Sequence, residues 1–533
     1  MKIRAIVAVV LAASLTGAVS AAQTQTPARS PSPSAPRAQA APSAQAAPSA
    51  QAAYAALSAA PAGPVGPLGP LGPLGATAPA GPAAPNNPGL LSQRETRTKN
   101  VARTFPVNGR EVRLEGRAME LRVEPTSEDQ ATIEVNLEYW SRSEEWMDLV
   151  EAEFDITVNE RSRVIEISGG RMPERDEGWW RRIFGGNREI SWAMDVVLRV
   201  PADTPLRLEN RYGNVEVDGI HGELEIDNSS GEVTVSNSGK TTIANSYGPI
   251  DVEQVDGDLL VRGSSAEASV NGVRGDADIE TSYAELVVEN VEGQLRAVAS
   301  SGAVRVTNVS GLAEVINSYA SSEVRDVAEL RLGGSSSDVT VVGVRGPATI
   351  ETSYAAMVVE DVQGVLEIEN PSGSVTVSNI LADVMVRNSY APVRASGIVG
   401  DLVVDSSSSA VTARDIAGDV EISTSYAGTE VQNAGGAIRV RNQSGRVTVA
   451  GLYGAALTAN HSLETSYANI DVEWPGSTPL AFDAECTYGG IKSDFEGRLE
   501  ERSSSSRRFT SDASGGGRMT LIATSGSITL RKR

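Results

Sequence analysis

The chain has 533 residues, 40% of them hydrophobic but only 5% aromatic, with 51 glycines and one cysteine, Cys486. All 68 acidic residues lie from Glu95 onward, whereas five of the 46 basic ones (Lys2, Arg4, Arg29, Arg37 and Arg94) precede it; the remainder sets 41 bases against 68 acids, a net charge of −27. Such a surface repels nucleic acid and anionic membrane, one thiol excludes an internal disulfide or a multi-cysteine metal site, and the shortage of large side chains argues for a thin core of stacked strands.

Residues 1–22 have the layout of a secretory signal peptide. Lys2 and Arg4 give the positive start, Ile6 to Leu15 the apolar run, and Ala18, Ser20, Ala21 and Ala22 the small residues that cleavage needs. No later segment is apolar enough to span a membrane as a helix. The expectation is an exported protein with no transmembrane segment after cleavage, placed in the periplasm, on the outer cell surface or outside the cell. Residues 23–95 are a Pro/Ala-rich stretch that cannot bury enough apolar surface to fold, and they read as a disordered linker.

Residues 96–205 hold five of the six tryptophans. Alternating runs at Glu111–Leu114, Ala131–Leu137, Phe154–Val158, Val164–Ile167 and Met194–Val200 predict strands, and 144–151 a short helical turn. This N-terminal β region is expected to cap the repeats that begin near residue 206. Residues 171–189 interrupt two strands and carry Trp179, Trp180, Arg181, Arg182 and Phe184. Aromatic and arginine residues dominate interaction hot spots; the same residues could equally fold back to shield an open strand edge.

From about residue 206 the chain repeats. Tyrosines recur at Tyr212, Tyr247, Tyr283, Tyr319, Tyr354, Tyr390, Tyr426 and Tyr467, at intervals of 35, 36, 36, 35, 36, 36 and 41 residues. Midway lie serine-rich turns such as Ser300-Ser301-Gly302, Ser372-Gly373 and Ser444-Gly445, so the fundamental unit is about 18 residues. Within it, Val215-Glu216-Val217 and Leu224-Glu225-Ile226 alternate with the period of a strand, and Gly and Asn mark corners. Strands this short bury an apolar face only by stacking on copies of themselves. The predicted fold is all-β: a single long β-solenoid of about 18 residues per coil, right-handed as parallel crossovers are. Its repeats occupy residues 206–474, and 475–533 supply C-terminal β coils and a cap. A β-propeller would need a longer repeat and four longer strands per blade.

The unit, written G-x-V-x-V-x-x-V-x-G-x-L-x-I-x-x-S-(S/Y)-G, resembles a bacterial putative-adhesin family of unknown function built from β-strand repeats. The lead-in Val196–Val200 with Pro201-Ala202, and the closing run Thr524-Ser525-Gly526-Ser527-Ile528-Thr529-Leu530, support the resemblance, which covers roughly residues 100–533. It implies adhesion and brings no catalytic or binding residues with it.

Chemistry is sparse in the sequence. The two histidines are His221, at a turn whose other copies hold Asp, Glu or Arg, and His461, at the only insertion, around Leu457–His461. That insertion reads either as a tolerated loop or as a contact site. No serine-nucleophile elbow, phosphate loop, zinc spacing or calcium nonapeptide occurs, and nothing calls for a cofactor. The tyrosine column supports two readings: rings packed over the small serine turns of adjacent coils, or an aromatic stripe for a repeating glycan. The function expected is a non-enzymatic, adhesin-like or scaffold protein of the cell envelope, its partner a glycan or an envelope protein; the alternative is a carbohydrate-active β-helix enzyme or polysaccharide-binding protein.

Overall fold

Alternation decides the element type. In Val233-Thr234-Val235 both valines are fully buried and the threonine between them is half-exposed, because successive side chains of a strand leave on opposite faces. A computed structural model describes residues 96–168, 190–335, 338–513 and 516–533. The signal, the linker and the cluster Trp179, Trp180, Arg181, Arg182 and Phe184 lie outside the described residues.

Each repeat coil holds two strands, Leu224–Ser230 then Val233–Ser238, succeeded by Thr241–Asn245 then Ile250–Val255. Strands of like position pair in parallel. Leu224 opposes Thr241, which opposes Leu259 and then Ala277 on one face; Val233, Ile250, Ala268 and Leu286 succeed one another on the second. The product is a β-solenoid of about 14 turns with about 18 residues per coil. At about 4.8 Å per stacked strand its repeats extend on the order of 70 Å. The core is filled by Val, Ile, Leu and Ala from coil after coil.

One backbone device recurs along the stack. From Gly219 to Gly451 the fifth position counted from the start of each second strand is left-handed, as at Asn237 (φ 51°), Gln254 (57°), Gly272 (83°), Asn290 (60°), Asn308 (58°) and Gly451 (72°). Gly and Asn reach this region at the least cost. The residue resets the alternation, so that Val255, Val273 and Val291 behind it point inward again and close the corner.

Both ends of the stack are interleaved. The coil of Glu111–Glu115 and Glu120–Thr126 lies between that of Val164–Ser168 and Ile190–Pro201 and that of Leu206–Tyr212 and Val215–Asp218. At the other end, Arg518–Ala523 and Ile528–Lys532 slot between His461–Thr465 with Ile470–Trp474 and Ala481–Cys486 with Ile491–Ser493. Antiparallel strands lie outside these: Gln130–Ser141 and then Arg97–Pro106 beside Ile190–Pro201, Thr157–Glu160 beside Val164–Ser168, and Arg507–Thr510 with Arg498–Glu501 beside Ala481–Cys486. They occupy edges that would otherwise template pairing with another chain.

The helix Glu144–Glu153 is longer than the turn expected. The Ser143 hydroxyl caps it by accepting from the Trp146 amide, and Trp146, Met147 and Val150 enter the core. Phe154 ends this helix instead of starting a strand, which begins only at Thr157. Its alternation with Ile156 is real, since both are buried, but a pair this short fits a helix end as well as a strand.

Candidate functional site: an exposed tyrosine edge

The tyrosines sit in the turn that joins the first strand of a coil to the second, as in Asn245-Ser246-Tyr247-Gly248 and Asn388-Ser389-Tyr390-Ala391. A buried asparagine opens the turns of Tyr212, Tyr247, Tyr319 and Tyr390, and a buried threonine those of Tyr283, Tyr354, Tyr426 and Tyr467; each asparagine ties its turn to a neighbouring one. Asn245 Nδ2 donates to Gly231 O (2.8 Å) of the preceding turn and to Gly248 O (3.0 Å) of its own. Asn388 Nδ2 donates to Gly373 O and Asn370 O, both at 2.7 Å, and its Oδ1 accepts from the Ala391 amide at 3.2 Å. Backbone bonds add to this: Tyr319 N to Ser300 O (3.1 Å), Tyr354 N to Ser335 O (3.1 Å) and Tyr390 N to Pro371 O (3.0 Å).

The rings are not packed between coils. Tyr354 is 68% exposed and Tyr247, the most covered of those from Tyr247 to Tyr467, 51%; Tyr212, at the head of the column, is half-buried. The expected packing over the serine turns therefore does not occur. Adjacent turns already touch backbone to backbone: Ser372 N bonds to Ser353 O at 2.9 Å, and a Cβ added at Gly373 would lie 1.6 Å from Ala355 O. No slot is left for a ring, which turns outward.

The sequence spacing missed one member of the edge. Tyr488 is 70% exposed and occupies the same turn of the coil Ala481–Cys486 with Ile491–Ser493. The interleaved C-terminal coil puts Ser525 between it and Tyr467: Ser525 N donates to Ser466 O (2.7 Å), and Tyr488 N to Thr524 O (2.7 Å). The order tyrosine, serine, tyrosine is thus kept in space where it is broken in sequence.

Other candidates are occupied structurally. His221 is an exposed corner residue. His461 is buried and begins a strand, so the insertion is the short 3-10 helix Gly454–Thr458 ahead of it. Its Nδ1 accepts from the Ile438 amide (3.1 Å), its Nε2 donates to Ala456 O (2.8 Å), and Trp474 stands edge-on to its ring. The Cys486 thiol is buried, donates to Gly526 O at 2.9 Å and is pushed up by desolvation. A groove of about 540 Å³ runs along the left-handed corner past His221, Gln254, Arg274 and Asn290. Its polar groups answer one another, Asn308 to Asn290 (2.7 Å), Asn290 to Asn271 (2.8 Å) and Arg274 to Asp256 (2.7 Å). Among the described residues no group of His, Cys, Asp and Glu is placed to hold a metal, and no helix is long and apolar enough to cross a membrane.

Residues 292–531 match the Toastrack DUF4097 family. The Toastrack DUF4097 domain is a β-repeat architecture of unknown function, in keeping with the resemblance carried by the repeat unit. Its match takes in Tyr319 to Tyr488 and the interleaved C-terminal coil. The strands before residue 292 continue the same parallel ladder, Ala277 opposing Leu295 across that limit. No curated protein matches the chain. A solved structure described as "a putative cell adhesion protein" from Clostridium sporogenes is similar over 82% of this chain and 100% of its own, at 8% identity and a TM-score of 0.12; at that score the likeness carries no argument.

Proposed function

We propose that this protein is a non-enzymatic, adhesin-like scaffold of the bacterial cell envelope, exported by residues 1–22, and that its tyrosine edge is the surface it offers to a partner. The observation that carries this reading is the edge itself. Eight tyrosines from Tyr247 to Tyr488 stand in solvent on every second coil, held by turns that backbone hydrogen bonds join to their neighbours. Scattered exposed aromatics need no explanation, but an aligned row is an exposed patch of the kind that marks interaction sites.

Three carboxylates are committed to structural ladders and are not poised as a general acid. A general acid needs a raised pKa. Asp278 is held low chiefly by its hydrogen bond from Arg262, with Arg296 adding to it, and Glu323 by Arg325 and Arg305. Asp218 is held low by hydrogen bonds from Ser236 and Asn237. These acids lie in ladders of ion pairs and hydrogen bonds across neighbouring coils, such as Arg262–Asp278 (2.8 Å) and Arg296–Asp278 (3.2 Å).

The test has two arms. Cell fractionation with N-terminal sequencing should find the chain outside the cytoplasm and lacking Met1. Purified protein should bind isolated cell envelopes, and a variant with Tyr319, Tyr354 and Tyr390 all changed to Ser should bind at least tenfold less. Equal binding by a folded variant removes the edge from the function.

A further inference from the structure

We infer that the tyrosine edge binds a neutral, extended β-1,4-linked glycan, one ring to each disaccharide; this rests on reading that edge as the contact surface. The period is the first reason. Tyrosines on every second coil stand about 10 Å apart, two strand spacings. That is the length of one disaccharide in an extended β-1,4 chain. Successive sugars in such a chain are flipped, so every second sugar presents the same apolar C–H face. A straight row of exposed rings at that period can stack on like faces along the whole polymer.

The serine coils supply the complementary half. Ser301, Ser444 and Ser525 lie midway between rings and are half-buried or exposed. Their hydroxyls can both donate and accept, as the hydroxyls of the intervening flipped sugars require. From Tyr247 to Tyr488 the turns carry no charge at the tyrosine or at its two neighbours, as in Ser353-Tyr354-Ala355 and Ser389-Tyr390-Ala391. The net charge of −27 behind them, 41 bases against 68 acids, disfavours a polyanionic glycan, so the class is a neutral glucose or N-acetylglucosamine polymer. Successive turns are joined by backbone bonds, such as Tyr354 N to Ser335 O and Tyr390 N to Pro371 O, with asparagine bonds added at Asn245, Asn317 and Asn388, so little conformational freedom is lost on binding.

Tyr488 is the second, independent observation. Tandem duplication of a two-coil unit accounts for the even tyrosines up to Tyr467. It does not account for Tyr488, which reaches its place only because the chain leaves a gap that Ser525 and its coil later fill. The spatial period is kept through a detour in chain order, as a polymer ligand would demand.

The experiment uses the purified mature protein with cello- and chito-oligosaccharides of increasing length, titrated calorimetrically. The expected result is affinity that rises with each added disaccharide, no binding of α-1,4-linked oligosaccharides of the same lengths, at least a tenfold loss in the Tyr319, Tyr354, Tyr390 to Ser variant, and retention in Tyr390→Phe, since stacking needs the ring and not the hydroxyl. The urea midpoint of each variant, unchanged, shows that it is folded. Affinity independent of length, or equally strong for α-1,4 chains, overturns the inference. So does a wild type that binds envelopes through the tyrosines but binds none of these oligosaccharides; in that case the edge stands and the glycan falls, whereas envelope binding indifferent to the tyrosines removes both. Sedimentation covers the remaining occupant: a dimer that the serine variant abolishes would assign the edge to a second copy of this chain.

Discussion

Tyr488 stands two coils from Tyr467, with Ser525 of the C-terminal coil hydrogen-bonded between them, Ser525 N to Ser466 O and Tyr488 N to Thr524 O, each at 2.7 Å. The relationship joins the two unusual features of this solenoid, its outward tyrosines and its interleaved ends, and each gives outcomes that can be measured.

Tyr354 is 68% exposed, so Tyr354→Ser should shift the free energy of unfolding by less than about 0.5 kcal/mol, as surface changes do. Ile350, a few residues earlier and fully buried, is the contrast: Ile350→Ala should lose about 2–5 kcal/mol. Urea unfolding of both variants checks this, and a large loss for Tyr354→Ser would mean the ring is packed.

Glycine is required at one turn position and dispensable at another. Gly373→Ala would bring a Cβ to 1.6 Å from Ala355 O, whereas Gly428→Ala would meet its nearest atom, Arg446 O, at 3.6 Å. The first should lose on the order of 1–3 kcal/mol or more, as overpacking does, and the second almost nothing. Thermal or urea melts of the pair separate the cases, and equal stability would contradict the close stacking of turns.

His461 makes stability depend on pH. Burial holds its pKa below the ordinary 6.5 against the opposing hydrogen bond to Ala456, and the charges of Asp419 and Arg439 act in opposite senses. The unfolded chain therefore takes up the proton first as pH falls. The contribution is complete above about pH 6.5 and is lost as pH drops toward the folded value. His461→Leu should show a shallower loss of stability between pH 7 and 5 than the wild type, whatever its stability at pH 7. Parallel slopes would show that the ring is not held neutral.

The C-terminal coil supports its neighbour as well as itself. Ending the chain at Gly517 removes the parallel partners of Ala481–Cys486 and Ile491–Ser493 and leaves the first of these only its antiparallel partner Arg507–Thr510. Hydrogen exchange should then lose protection at 491–493 and weaken across 481–486, while amides near Val377 in mid-stack keep theirs, as expected where a stack opens locally. Protection kept in 481–493 would mean that this coil does not depend on the interleaved one.

The fold was legible because a short repeat states it many times over: alternation gives the strands, Gly and Asn the corners, and the even tyrosines the coil length. What the pattern does not encode is the spatial order of coils. Arg518–Ala523 reads like any other first strand, and nothing local says that it enters between His461–Thr465 and Ala481–Cys486. Tyr488 escaped the column for that reason, since its interval in sequence is wrong and only its place in space is right. The outward turn of the rings was hidden for another. It arises from backbone contact between turns, as at Gly373 and Ala355, and residue type at the tyrosine says nothing of that. His461 looked like a loop residue because an insertion precedes it, yet its two backbone partners bury it.

The central claim, that the tyrosine edge is the recognition surface, is tested most directly by chemical nitration of the mature protein with and without isolated envelopes, read residue by residue by mass spectrometry. Tyr453 is the internal control. It is 45% exposed but precedes the 3-10 helix at a different corner, away from the edge. The account predicts that envelopes protect Tyr319, Tyr354 and Tyr390 and leave Tyr453 as reactive as before. Equal labelling of all four with and without envelopes, or protection of Tyr453 alone, would contradict it.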